Sequence, residues 1–156
     1  MKNVDLYTDG AGSGNPGVGG WAAVLIYKGK QKEFSGGERE TTNNRMELTA
    51  VIRGLEALKE KCNVTIYSDS AYVVNAVNND WITNWQLNGW KNSAKDNVSN
   101  QDLWEKLLDL LTFHPSVFVK VKGHSTNELN NLCDKLAVAE VQKIKAQDEK
   151  SSISNN

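Results

Sequence analysis

The tightest constraint on the fold is a change of period in the middle of the chain. Leu48, Val51, Ile52, Leu55 and Leu58 recur at helical spacing through residue 60, and VTIYSD at 64 to 69 follows at once as a buried strand. Upstream lie three further strand-like runs: VDLYTD at 4 to 9, VGGWAAVLIY at 18 to 27 and QKEFSG at 31 to 36. Short turns join them, one rich in glycine and the other Lys28-Gly29-Lys30, so they read as an antiparallel meander. A strand, helix, strand sequence is a crossover, and the strand at 64 must then run parallel to an earlier one.

The rest of the chain extends the same pattern. A short helix is expected at 71 to 78, followed by a tryptophan-bearing segment from Trp81 to Trp90. Leu103, Trp104, Leu107, Leu108 and Leu111 form another apolar stripe, ended by His114-Pro115, and VFVKV at 117 to 121 is the fifth strand. Ser125-Thr126-Asn127-Glu128 is a capping box for a last helix carrying Leu129, Leu132, Cys133, Leu136, Ala137, Val141 and Ile144 on one face. Residues 146 to 156 are polar and aperiodic and are read as a disordered tail. The order β-β-β-α-β-α-α-β-α specifies an α/β fold: a five-stranded mixed sheet, three strands antiparallel and then two parallel, flanked by helices.

At 156 residues and 39% hydrophobic, the chain has the length of one domain. No apolar run is long enough to cross a bilayer, and a soluble, cytoplasmic protein is expected. Cys62 and Cys133 lack metal-ligand spacing and read as free, mostly buried thiols. The net charge of -1 argues against strong whole-molecule attraction to nucleic acid, without excluding a local site. Gly12 to Gly17 matches GxGxxG, but it opens a strand instead of a helix, which favours a tight turn over a dinucleotide site.

Four acidic residues carry the candidate chemistry, and each alone has an ordinary structural role. Asp9-Gly10 could be a turn, Glu47 could complete a capping box with Asn44, Asp69 could cap the next helix, and Asp134 could be solvated beside its apolar stripe. Their placement changes the reading, because Asp9 and Asp69 close two strands expected to be parallel, where ligands of α/β sheets gather. If the two long helices bring Glu47 and Asp134 to the same end, the cluster needs protons or cations, and all-oxygen donors favour magnesium or manganese over zinc.

The segments YTDGAGSGNPGVGGWAAVL (7 to 25), TTNNRMELTAVIRGLEAL (41 to 58), VTIYSDSAYVVNAV (64 to 77), WITNW and NGWK (81 to 91) and VKGHSTNELNNLCDKLA (121 to 137) closely resemble the type 1 ribonuclease H family, in its order and with its intervals. The resemblance implies a ribonuclease H-like fold with residues 1 to 145 as the catalytic domain. It implies that Asp9, Glu47, Asp69 and Asp134 hold two magnesium ions, with manganese as a substitute, and that the RNA strand of RNA/DNA hybrids is cut to 5′-phosphate and 3′-hydroxyl ends. His124 matches a loop histidine that assists proton transfer or product release.

By the same resemblance, Gly10, Asn15 and Asn44 face the minor groove and the RNA strand, Thr42 and Asn100 hold a DNA phosphate, and Trp81 packs on a DNA sugar. Thr42, Asn44 and Asn100 could also be helix caps, and Trp85, Trp90 and Trp104 are read as packing. A monomer is expected. Two departures stand out: the stretch Trp85 to Trp90, basic in many relatives, is uncharged here, and Ala71 occupies a position that is often glutamine. A non-catalytic hybrid-binding module, or another metal nuclease of the same fold, is the alternative.

Overall fold

The computed structural model describes residues 1–122 and 127–154. The expected meander is present as β1 (Lys2–Gly12), β2 (Gly17–Tyr27) and β3 (Lys30–Thr41), antiparallel throughout. Helix α1 (Asn43–Glu56) carries the chain across to β4 (Cys62–Ser68), which pairs parallel with β1, and β5 (Ser116–Lys120) pairs parallel with β4. The sheet order is β3-β2-β1-β4-β5, the mixed arrangement that the crossover requires.

Helices cover both faces of the sheet, and the alternation of β1 explains how. Val4 and Leu6 pack with Leu48, Val51, Ile52 and Leu55 of α1 in the larger core, while Tyr7 lies with Ala22, Val24, Cys133 and Ala137 under α5 (Glu128–Ser154). The larger core also takes Val73, Val74 and Ala76 from α2 (Ala71–Asn78), and Trp104 and Leu107 from α4 (Gln101–Phe113). Close approach is permitted by glycine: a Cβ on Gly20 would stand 2.2 Å from the Ala137 carbonyl oxygen, so α5 sits directly on β2. Cys62 and Cys133 are free and buried.

The structure departs from the sequence reading in three places. The tryptophan segment contains a further short helix, α3 (Trp81–Leu87), which buries Ile82 and half-buries Trp85; its seven residues are too few for a periodic signal to stand out. Residues 146 to 154, read as a disordered tail, continue α5, and Arg39 of β3 pairs with Asp148 at 2.9 Å. Helix propagation past a docked segment does not need an apolar stripe of its own. Strand β1 also runs on past Asp9 to Gly12, so Asp9 lies inside a strand instead of closing it.

Below the sheet's other end, buried His114 accepts a hydrogen bond at Nδ1 from the Cys62 backbone N–H (3.1 Å). Its pKa lies below the usual histidine value because burial disfavours the charged ring.

Candidate functional site

Parallel pairing of β1 with β4 stops at Tyr7 and Tyr67, and two residues further on Asp9, still within β1, and Asp69, just past the end of β4, come together. Asp9 stays opposite Ala22 of β2, buried at 4% exposure, with Oδ1 accepting from the Gly10 N–H (2.9 Å). Glu47 arrives from above. A Cβ on Gly10 would lie 2.4 Å from the Glu47 nitrogen and 2.6 Å from the Met46 carbonyl carbon, so only glycine lets α1 cross β1 at this point. The result places carboxylate oxygens of Asp9, Glu47 and Asp69 within 4.8 Å of one another. Asp134, half-buried in the second turn of α5, lies near enough to Asp9 for its charge to raise the Asp9 pKa, at the edge of the trio.

The ordinary roles considered for these residues are taken by their neighbours. Helix α1 is capped by Thr42, whose hydroxyl oxygen accepts from Arg45 N (3.2 Å), and α2 is capped by Ser70, which accepts from Val73 N (3.2 Å). Glu47 and Asp69 are therefore free of capping duty. Buried Glu47 Oε1 has no hydrogen-bond partner among the described residues. None of the ion pairs found among those residues involves any of the four carboxylates.

Electrostatics follow from that geometry. Burial, and then the charge of Asp69, raise the Asp9 pKa to about 8. Glu47 is pushed well above the usual carboxylate range, first by burial and then by Asp9 and Asp69. Two buried and two half-buried carboxylates, without an ion pair among the described residues and with one oxygen lacking a partner, make an all-oxygen donor set of the kind that suits a hard divalent ion. The residues present match a metal site of that class.

Of the other predicted residues, Asn15, Thr42, Asn44 and Asn100 line a shared cleft with Gly14 and Ser99. Asn100 precedes α4 in a left-handed conformation (φ 65°), and its side chain makes no capping bond. Instead its Oδ1 accepts from Arg45 Nη1 (3.3 Å) and its Nδ2 donates to the Tyr72 hydroxyl (3.1 Å). Trp81 is 38% exposed at the start of α3. Trp104 is fully buried, and Trp85 and Trp90 pack against the same core, in agreement with the packing role expected for them. His124, with Ser125 and Thr126 of the expected capping box, lies outside the described residues; Asn127 Oδ1 accepts from Asn130 N (3.0 Å) at the start of α5.

A family model described as RNase H matches residues 1–142. The chain belongs to the RNase H family. It is 58% identical over 145 residues to the ribonuclease H of Caldicellulosiruptor saccharolyticus, covering 93% of this chain and 100% of that protein. It is 55% identical over 152 residues to that of Moorella thermoacetica, covering 97% and 100%. Among solved structures, LC9-RNase H1, a type 1 RNase H with the type 2 active-site motif, superposes with a TM-score of 0.80 at 27% identity, over 92% of this chain and 74% of that one. LC11-RNase H1, solved in complex with RNA/DNA hybrid, gives 0.70 at 26% identity, over 90% and 98%. Among the described residues no helix is long and apolar enough to cross a membrane.

Within this RNase H chain, two residues passed over in the sequence stand beside the predicted groups. Arg45 forks onto Asp102 while reaching Asn100, and Asn130, buried one turn before Asp134, has an unpartnered Oδ1. Asn130 had a visible signal: it shares the spacing of Cys133 and Ala137 on the buried face of α5. Arg45 had none, because its partners are more than fifty residues away in sequence.

Proposed function

We propose that this chain is a metal-dependent endoribonuclease that hydrolyses the RNA strand of RNA/DNA hybrids, leaving 5′-phosphate and 3′-hydroxyl ends. The observation that carries the reading is the convergence of Asp9, Glu47 and Asp69 on one partly buried site, with Asp134 acting on Asp9 from α5, in a chain of the RNase H family. LC11-RNase H1, of the same fold, was solved with a hybrid bound. The unit responsible is residues 1 to 145, acting as a monomer in the cytoplasm.

The four carboxylates would hold two magnesium ions, or manganese in their place, with Glu47 Oε1 as a ready donor. Divalent ions at such a site supply an activated water for attack on phosphorus and offset charge on the departing 3′ oxygen. The chain's part is positioning. Asp9 is fixed in the sheet, Glu47 is fixed by the α1 crossing at Gly10, and both must give up protons before they can bind a cation. His124 assists proton transfer or product release. The donors of the cleft, Thr42 and Asn100, take a phosphate of the DNA strand, while Gly10, Asn15 and Asn44 face the minor groove and Trp81 packs on a DNA sugar.

The test is to incubate the protein with labelled RNA/DNA hybrid, duplex RNA and duplex DNA, with magnesium and with EDTA. Cleavage confined to the RNA of the hybrid, and only with metal, supports the reading. An inert wild type, or full activity in Asp69→Asn, overturns it.

A further inference from the structure

The cleft beside the carboxylates is neutral, so its grip on a nucleic-acid backbone depends on where a few polar hydrogens point. Asn100 is held at both ends: Arg45 Nη1 donates to its Oδ1 (3.3 Å), and its Nδ2 donates to the Tyr72 hydroxyl oxygen (3.1 Å). That orientation leaves the second Nδ2 hydrogen unspent. Tyr72 is itself fixed, because its oxygen also accepts from Nε1 of fully buried Trp104 (2.9 Å). On the facing wall, Thr42 Oγ1 accepts from Arg45 N, which leaves its hydroxyl proton free to donate.

Arg45 is central to this arrangement, yet it is poorly placed to hold a phosphate itself. Its two Nη atoms fork onto Asp102 (3.0 and 2.8 Å), and the hydrogen bond to Asp102 is the main reason its pKa is raised. Its charge is further offset by Glu38. The same residue therefore supplies the backbone N–H that orients Thr42 and the guanidinium N–H that orients Asn100, while its positive charge is already satisfied.

We propose that Arg45 is a positioning residue for backbone recognition: its guanidinium, forked on Asp102, sets the donor hydrogen of Asn100, with Tyr72 fixing the far end of that side chain, beside a Thr42 hydroxyl turned outward by the backbone N–H of residue 45. Neither Arg45 nor Tyr72 touches the reacting atoms. The inference rests on the hybrid-cleaving reading above and adds the residues that set its affinity.

A double-mutant cycle tests it. Arg45→Lys keeps the charge but loses the fork, and should raise KM for the hybrid roughly fivefold, the size expected for one lost hydrogen-bond anchor, with kcat within about twofold of wild type. Asn100→Ala should raise KM at least as much, and adding Arg45→Lys to it should change KM little further. Tyr72→Phe, which releases the other end, should reproduce the KM effect; if it fails to fold because Trp104 loses its acceptor, the Arg45/Asn100 cycle alone decides. Additive effects, or a fall in kcat with KM unchanged, overturn the positioning role. A wild type that leaves the hybrid uncut overturns the functional reading instead, and with it the ground of this inference.

Discussion

The carboxylate site and the asparagine-lined cleft are both reached from the first turns of α1, one through Glu47 and the other through Thr42 and Asn44, yet they treat polar groups in opposite ways. At the carboxylates, like charges are forced together under burial, one oxygen has no partner, and protons are held up to about pH 8 on Asp9. In the cleft, Asn100, Arg45, Tyr72 and Asp102 form a satisfied network. The first region stores an electrostatic penalty that only protons or cations relieve, and the second is already hydrogen-bonded within itself before any ligand arrives. Substitutions should therefore separate chemistry from binding.

The sharpest way to break the contrast is at the carboxylates themselves. Asp9→Asn or Asp69→Asn should reduce kcat by about a thousandfold or more in saturating magnesium, with KM for the hybrid changed little. A loss confined to KM would place these residues on the binding side instead. Next in size is Gly10→Ala, where the new methyl meets the α1 backbone at 2.4 Å. Pushing α1 away displaces Glu47, and a shift on the order of 1 Å should lower kcat roughly a hundredfold, together with a measurable drop in Tm.

The pH dependence of the metal-free protein follows from the raised carboxyls. A group whose folded pKa lies above its unfolded value stabilises the fold below the unfolded pKa, and that stability is lost as pH rises through the folded pKa, here about 8 for Asp9. In EDTA, Tm should therefore decline from the ordinary Asp value of 3.8 up to about pH 8 and level off above it, and Asp9→Asn should flatten that decline. Apparent magnesium affinity should move the other way, falling up to about tenfold per pH unit below 8 because a proton must leave. Calorimetric titration at pH 6, 7 and 8 checks this; a pH-independent affinity would contradict the coupling. His114 works in the opposite sense, since its lowered pKa costs stability as pH falls below the unfolded histidine value, and Asp9→Asn separates the two contributions.

The smallest expected effects concern grip. The turn after α3 carries Gly89 at φ +65° and no basic cluster, and Lys91 is bonded to Asn97, so hybrid affinity should fall less steeply with salt than in relatives with a basic protrusion. Ala71, exposed at the first turn of α2 beside Asp69, can take a longer polar side chain. Ala71→Gln should tighten the hybrid by about threefold, the value of one added hydrogen bond, with kcat unchanged. Unchanged binding would show that this position does not meet the substrate.

By itself the sequence determined the order of elements, the parallel pairing of β4 with β1, the glycine turn between β1 and β2, and the family. Each of these is encoded locally, in apolar period, turn residues or contiguous motifs. It also named Asp9, Glu47, Asp69 and Asp134, but only as candidates, because each had a sufficient local role. What decided between roles was tertiary: Thr42 and Ser70 do the capping, and the Gly10 crossing brings Glu47 over Asp9. The extent of α5, the short α3 and the Arg45–Asp102–Asn100–Tyr72 network were likewise invisible. Helix extension beyond a docked face carries no periodic signal, and hydrogen bonds spanning tens of residues depend on which surfaces the fold brings together.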